Sequence, residues 1–197
     1  MQTEKLLQEA IEKTRLIINQ VERLNKYDLP FLKRREDANS WNILECLEHL
    51  NLYGDFYLPQ IEKSILHSDS TPEVEFKSGF LGNYFAKSML PKENMKKIKT
   101  FKDKNPLNAN LDLFVIDRFI HQQIAFIDLI NQSRKVSLNK VKVKTSISNL
   151  ITIKLGDTFN FLINHNLRHL KQIERIEKGI PGNGKVTKME NQIEFQR

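Results

Sequence analysis

The sequence predicts an all-α fold, a four-helix bundle with long connections, on three observations. Four long segments place apolar residues at intervals of three and four, the spacing of a helix with one buried face. The one stretch that alternates instead, Val136 to Thr145, has no evident partner strand, and a lone strand is not stable. The 197 residues contain no Gly/Pro/Ser-rich linker, so one domain over residues 1–197 with a sizeable core is expected.

The first helix is predicted from Thr3 to Leu24, with Leu6, Leu7, Ala10, Ile11, Leu16, Ile17, Ile18, Val21 and Leu24 as its stripe. Residues 25–39 read as a polar connection, turned at Tyr27-Asp28-Leu29-Pro30 because the residue before proline leaves the helical region. Ser40 is the expected N-cap of the second helix. That helix spans Trp41 to Leu66, with Ile43, Leu47, Leu50, Gly54, Leu58, Ile61 and Ile65 facing inward. Gly54 is expected to admit a neighbouring backbone, and Pro59 to kink the helix by removing a donor.

Residues 67–110 form a long insertion punctuated by serine, glycine and proline, with short helices expected near Gly82 to Met89 and Lys92 to Lys99. Long loops in compact domains commonly serve function, so the insertion is a candidate lid or a cover folded over the bundle. The third helix runs from Leu111 to Asn131 on Leu113, Ile116, Phe119, Ile120, Ile124, Phe126, Ile127 and Ile130. Val136 to Thr145 is read as an extended crossover. The fourth helix starts at Thr152 or Asp157 and stops at Gly179, before Pro181. Residues 182–197 are a polar tail.

With 40% hydrophobic and 28% charged residues, the composition is that of a globular protein. No apolar run approaches the roughly 18 residues that span a bilayer, and the N-terminus opens straight into helix pattern without a signal peptide. A cytoplasmic location is expected, and the single cysteine, Cys46, excludes an internal disulfide. The net charge of +7 gathers in lysines at 91–104 and 135–154. These stretches lack interleaved aromatics or a recognition motif, which argues against nucleic acid as a partner.

The chemistry concentrates in histidines. His165 and His169 are four apart, one turn above each other at the margin of the fourth helix's apolar face, where one metal ion can take both rings. Two imidazoles do not complete a tight site, because zinc and related ions take at least three protein ligands. His67 lies 18 residues from His49, about 27 Å along a helix axis, and His121 falls on the solvent side of the third helix. His49 remains, at the edge of its apolar arc, with Tyr53 and Phe56 one and two turns later. Cys46, nearer the apolar centre, reads as an inert buried thiol. The residues three before the histidines are Cys46, Leu162 and Asn166, which excludes a Glu-x-x-His carboxylate di-iron site. Asn166 sits within the apolar arc and requires a hydrogen-bond partner if buried. Glu45 and Glu48 are placed toward solvent, so no general base stands out and the catalytic residues are left open.

Two stretches, Ser40-Trp41-Asn42-Ile43-Leu44-Glu45-Cys46-Leu47-Glu48-His49-Leu50 and Leu155-Gly156-Asp157 through His165-Asn166-Leu167-Arg168-His169 to Ile173, resemble the DinB/YfiT-like metal-binding four-helix proteins. The resemblance implies an antiparallel bundle with its second and fourth helices adjacent, a homodimer, and a divalent ion such as zinc or nickel on His49, His165 and His169. It also implies a transferase that uses a low-molecular-weight thiol, of which bacillithiol is one, on a small-molecule substrate. Three neutral imidazoles leave coordination positions open, where a thiol or a water becomes more acidic. A metal-dependent hydrolase is therefore the alternative. A stress-response or binding protein whose metal is structural or absent, its basic loop docking an acidic partner, is the other. Tyr53, Phe56 and Arg168 are the candidate substrate-binding residues.

Overall fold

A computed structural model describes residues 1–91 and 100–179. Among these the chain is mostly helical. Its helices are α1 (Thr3–Glu22), α2 (Leu29–Leu32), α3 (Ile43–Leu66), α4 (Phe80–Ser88), α5 (Phe114–Gln132) and α6 (Leu155–Gly179), and its strands are β1 (Lys142–Thr145) and β2 (Ser148–Lys154). Four helices are long: α1 and α3 each pack on α5 and α6, and α6 is covered also by the short α4. The core between them holds Leu7, Ile17, Ile43, Leu47, Ile61, Ile116, Phe119, Phe126 and Phe159, all buried. A fully buried side chain of this size contributes about 1.5–3 kcal/mol relative to exposure.

Asn42 rather than Ser40 caps α3. Its side chain accepts from the Glu45 N–H at 2.8 Å while the Glu45 carboxylate accepts from the Asn42 N–H at 2.9 Å, a capping box that the Asn-x-x-Glu spacing allows. Ser40 instead closes a turn on Asp37. The connection before it is not wholly polar, since Asp28 caps α2 through the Phe31 N–H and buries Phe31 and Leu32. Helix α3 runs on through Pro59. Gly54 makes room not for a backbone but for the Gln122 side chain of α5.

The stretch read as a crossover is one strand of a hairpin. Lys142 pairs with Lys154 and Val143 with Ile153, antiparallel, with a register shift after Lys144. The partner strand, 148–154, begins before the predicted helix and carries its own alternation into Leu155. Val143 and Ile153 face inward, and the Tyr57 hydroxyl accepts from the Ser146 N–H at 3.1 Å, tying the turn to α3. Leu16, Leu113 and Ile124, expected on inner faces, are exposed: Leu16 and Ile124 stand well off the buried faces of α1 and α5, and Leu113 precedes the first residue of α5.

The described part of the insertion folds over the helices. Val74 and Phe76 pair with the start of the chain, where the Thr3 N–H donates to the Val74 carbonyl at 2.8 Å. The short helix predicted near Gly82 is α4, which packs on α6. Asp157, buried in the first turn of α6, accepts from Ser78 and from the Gly79 N–H. The helix expected at Lys92 to Lys99 and the tail at 182–197 lie outside the described residues. No helix among the described residues is long and apolar enough to cross a membrane.

Candidate metal centre

His49 comes from the second turn of α3, and His165 and His169 from successive turns of α6. The contact between these two helices brings the rings together: the His165 Nε2 lies 3.2 Å from the Nε2 of His49 and 3.2 Å from that of His169. One nitrogen from each ring falls within 4.8 Å of the other two, and all three residues are buried. Two nitrogens bound to one tetrahedral zinc at 2.0–2.1 Å stand about 3.3 Å apart, so the observed separations suit a shared ion.

The hydrogen bonds on the far side of the rings decide which nitrogens are bare. His49 Nδ1 lies 2.7 Å from the Lys104 carbonyl, and His169 Nδ1 3.0 Å from the Gln172 side-chain oxygen. A carbonyl oxygen only accepts, so each Nδ1 donates, and in a neutral ring each Nε2 then carries a lone pair. Both lone pairs point at His165 Nε2, which can offer at most one proton. One of them is therefore left without a donor among the described residues. A divalent cation answers all three.

Burial keeps the rings neutral. It draws His49 down to about 4, aided by the Lys104 charge and opposed by the hydrogen bond to the Lys104 carbonyl. Burial likewise draws His169 down to about 3, with the neighbouring His49 lowering it further and Gln172 opposing. His165 is held well below its ordinary value by burial, then by His169, His49 and Arg168. Neutral imidazole is the form that binds metal. His165 Nδ1 is buried without a hydrogen-bond partner among the described residues.

Aromatic rings surround the centre. Trp41 stands 4.7 Å from His49 and 5.8 Å from His169, Tyr53 lies 4.9 Å from His49 and 4.5 Å from His165, and Phe161 stacks on His165 at 5.7 Å. Of the candidate substrate residues, Tyr53 is thus beside the histidines. Phe56 is one turn further along, packed on Tyr57 at 5.0 Å with the Lys104 ammonium 5.9 Å over its ring. Arg168, partly buried, is near enough for its charge to act on His165 and His169. Burial raises the Tyr53 phenol to about 12, so it is a hydrogen-bond donor at neutral pH. A depression lined by Glu73, Val74, Glu75, Lys77, Asn139 and Lys154 shares no residue with the centre.

His67 and His121 are exposed. Cys46 is fully buried and its thiol is pushed far up by burial, which makes it unreactive. Asn166 is buried and donates to the Gln123 side chain of α5 at 2.9 Å. The placement of Glu45 and Glu48 toward solvent is corrected: Glu45 is fully buried beside Arg35, and Glu48 is ion-paired with Arg118 at 3.0 Å. Helix α3 is covered on more sides than its apolar arc shows. The sequence does not single out the hydrogen-bond partners of the histidine rings, Lys104 and Gln172. Gln172 was within reach of spacing, three after His169; Lys104 contributes a backbone carbonyl, which no residue type marks.

Fold and site together define a helical protein built around a buried three-imidazole centre. A family model for the DinB superfamily matches residues 19–173, and the chain belongs to that superfamily. That span takes in all three histidines. No curated protein and no solved structure gives a significant match.

Proposed function

We propose that the protein is a metal-dependent enzyme whose His49, His165 and His169 hold a divalent ion, zinc or nickel, and that it joins a low-molecular-weight thiol of the bacillithiol type to a small electrophilic substrate, the thiolate sulfur bonding to the electrophilic atom as the leaving group departs with its electron pair and the thiol proton passes to solvent. The observation that carries this reading is the convergence of three neutral Nε2 atoms with more lone pairs than protons. The ion supplies Lewis acidity, which lets a thiol lose its proton near neutral pH. The chain's residues do the rest. The Trp41 and Tyr53 rings exclude water from the histidines, the Tyr53 hydroxyl donates a hydrogen bond, Phe56 continues the apolar wall, and Arg168 pairs with an anionic group of the substrate.

The four long helices are read as an antiparallel bundle forming one domain, and the protein as a cytoplasmic homodimer. These extend the superfamily membership and the mutual packing of the helices.

The test begins with metal analysis of untagged protein. Near-stoichiometric zinc or nickel is expected, and His165→Ala is expected to abolish it with helicity retained. Unfolding of that variant would mark the ion as structural. The loaded protein is then screened with thiol cofactors and model electrophiles. Thiol-dependent product supports the transferase, whereas turnover with water alone favours hydrolysis.

A further inference from the structure

The Glu45 carboxylate is fully buried and is bound from three directions. It accepts from the Asn42 N–H at 2.9 Å, from the Arg35 guanidinium at 3.0 Å, and from the Asn108 N–H at 2.6 Å. Only the first belongs to the helix cap. Arg35 comes from the connection before α3, and Asn108 from a separate segment, 104–108, which carries the carbonyl that accepts from His49. Arg35 also holds that segment directly, donating to the Asn108 side-chain oxygen at 3.0 Å. The Trp41 indole N–H donates to the Asn105 side-chain oxygen, also at 3.0 Å. Asn108 itself is held at φ 64°, a left-handed conformation that asparagine tolerates better than most residues.

We propose that Glu45, clamped by Arg35, is a positioning residue for the histidine centre. It fastens the strap 104–108 so that the Lys104 carbonyl holds His49 in the tautomer with Nδ1 protonated and Nε2 bare. A buried carboxylate is costly unless its oxygens are answered. Here two of its three partners do nothing for the cap, and they act on His49 by a continuous chain of bonds: Glu45 to Asn108, along four residues of backbone, then Lys104 to the ring. A helix cap alone needs neither Arg35 nor Asn108. The orienting partners of metal-binding histidines govern metal affinity in this way.

The inference rests on the metal-centre reading, and two measurements keep their failures apart. The first is zinc affinity by competition for wild type, Arg35→Met, Arg35→Lys and Asn42→Ala. Arg35→Met is expected to weaken zinc binding by about tenfold or more, with Arg35→Lys between it and wild type. Asn42→Ala, which removes the cap's own acceptor, should lower the unfolding midpoint and leave zinc affinity unchanged. The second is the His49 tautomer in metal-free protein, read by nitrogen NMR: Nδ1-protonated in wild type, mixed in Arg35→Met. Equal zinc affinity in Arg35→Met and wild type, or an equal loss in Arg35→Met and Asn42→Ala, overturns the role. If wild type binds no zinc, the metal reading fails and the tautomer decides. A ring that stays Nδ1-protonated in Arg35→Met overturns the strap, and one that does not upholds it.

Discussion

Lowering the pH from 7.5 to 5.5 should leave the intrinsic zinc affinity of the folded protein almost unchanged. Protons compete with a metal for each ring in proportion to the protonated fraction of the metal-free site. An ordinary histidine at 6.5 loses about tenfold in apparent affinity at pH 5.5, and two such rings lose about a hundredfold. Burial places His49 at about 4 and His169 at about 3. At pH 5.5 about 3% of His49 is protonated, and less of His169, so their combined penalty stays well under twofold. His165, also lowered by burial, adds nothing in the opposite direction. The assay is competition with a chelator of known pH dependence, read through Trp41, the single tryptophan, with circular dichroism at each pH to hold the comparison to folded protein. A hundredfold loss of affinity over this range, with the fold intact, would show that the rings are solvated in the metal-free state and would remove the argument for a dry neutral centre.

Two further outcomes follow from the same structure. The metal-free protein should lose stability as pH falls below 6.5: folded-state values for His49 and His169 lie below the unfolded value, the unfolded chain binds more protons between them, and unfolding free energy therefore drops as pH falls through this window. His49 alone accounts for about 3 kcal/mol by pH 4, measurable as a falling urea midpoint that saturating zinc at pH 6 partly restores. Gly82→Ala and Gly54→Ala should separate by their neighbours. A Cβ at Gly82 meets the buried Asp157 side chain at 2.3–2.5 Å, while one at Gly54 meets the end of Gln122 at 2.0 Å. Asp157 is pinned by Ser78 and Gly79 and cannot swing aside, so Gly82→Ala should cost about 1–3 kcal/mol. Gln122 is a longer, flexible side chain that can turn away by exchanging its hydrogen bonds to the Asn51 carbonyl and the exposed Asp55 carboxylate for water, and Gly54→Ala should cost less despite the shorter distance. Thermal melts that rank them the other way would refute the reasoning.

What the sequence made legible is what depends on local spacing. His165 and His169 share a face because they are four apart on one helix, and Leu155, Phe159, Leu162, Ile163, Leu170, Ile173 and Ile176, whose spacing sets the apolar face, are all buried in α6. His49 could be singled out because the other two histidines failed on distance and exposure. The hairpin was not legible because Ser148 to Lys154 leads straight into α6 and its alternation merges with the helix pattern. Glu45 was misplaced for a related reason. A helical wheel ranks a side chain by its own helix, whereas the partners that cover Glu45 come from Arg35 and Asn108, 10 and 63 residues away. The acceptor for His49 is a main-chain oxygen, and main-chain oxygens are the same at every position.

The centre is assembled from separations of 116 residues between His49 and His165 and 55 between His49 and Lys104, so it has no counterpart in the unfolded chain. Metal binding free energy at such a site is folding free energy. Without a cation, these residues would work against the fold in two ways: a lone pair on His49 or His169 would find no donor among the described residues, and three imidazoles would be held neutral in a dry interior at a cost that grows with acidity. A typical buried polar group without a partner costs about 1–3 kcal/mol, a large share of a domain's stability of about 5–15 kcal/mol. Packing alone does not call for this arrangement, since three apolar side chains of similar volume would fill the space between α3 and α6 without it. The histidines, and the strap that orients one of them, make physical sense as a site organised in advance for a cation.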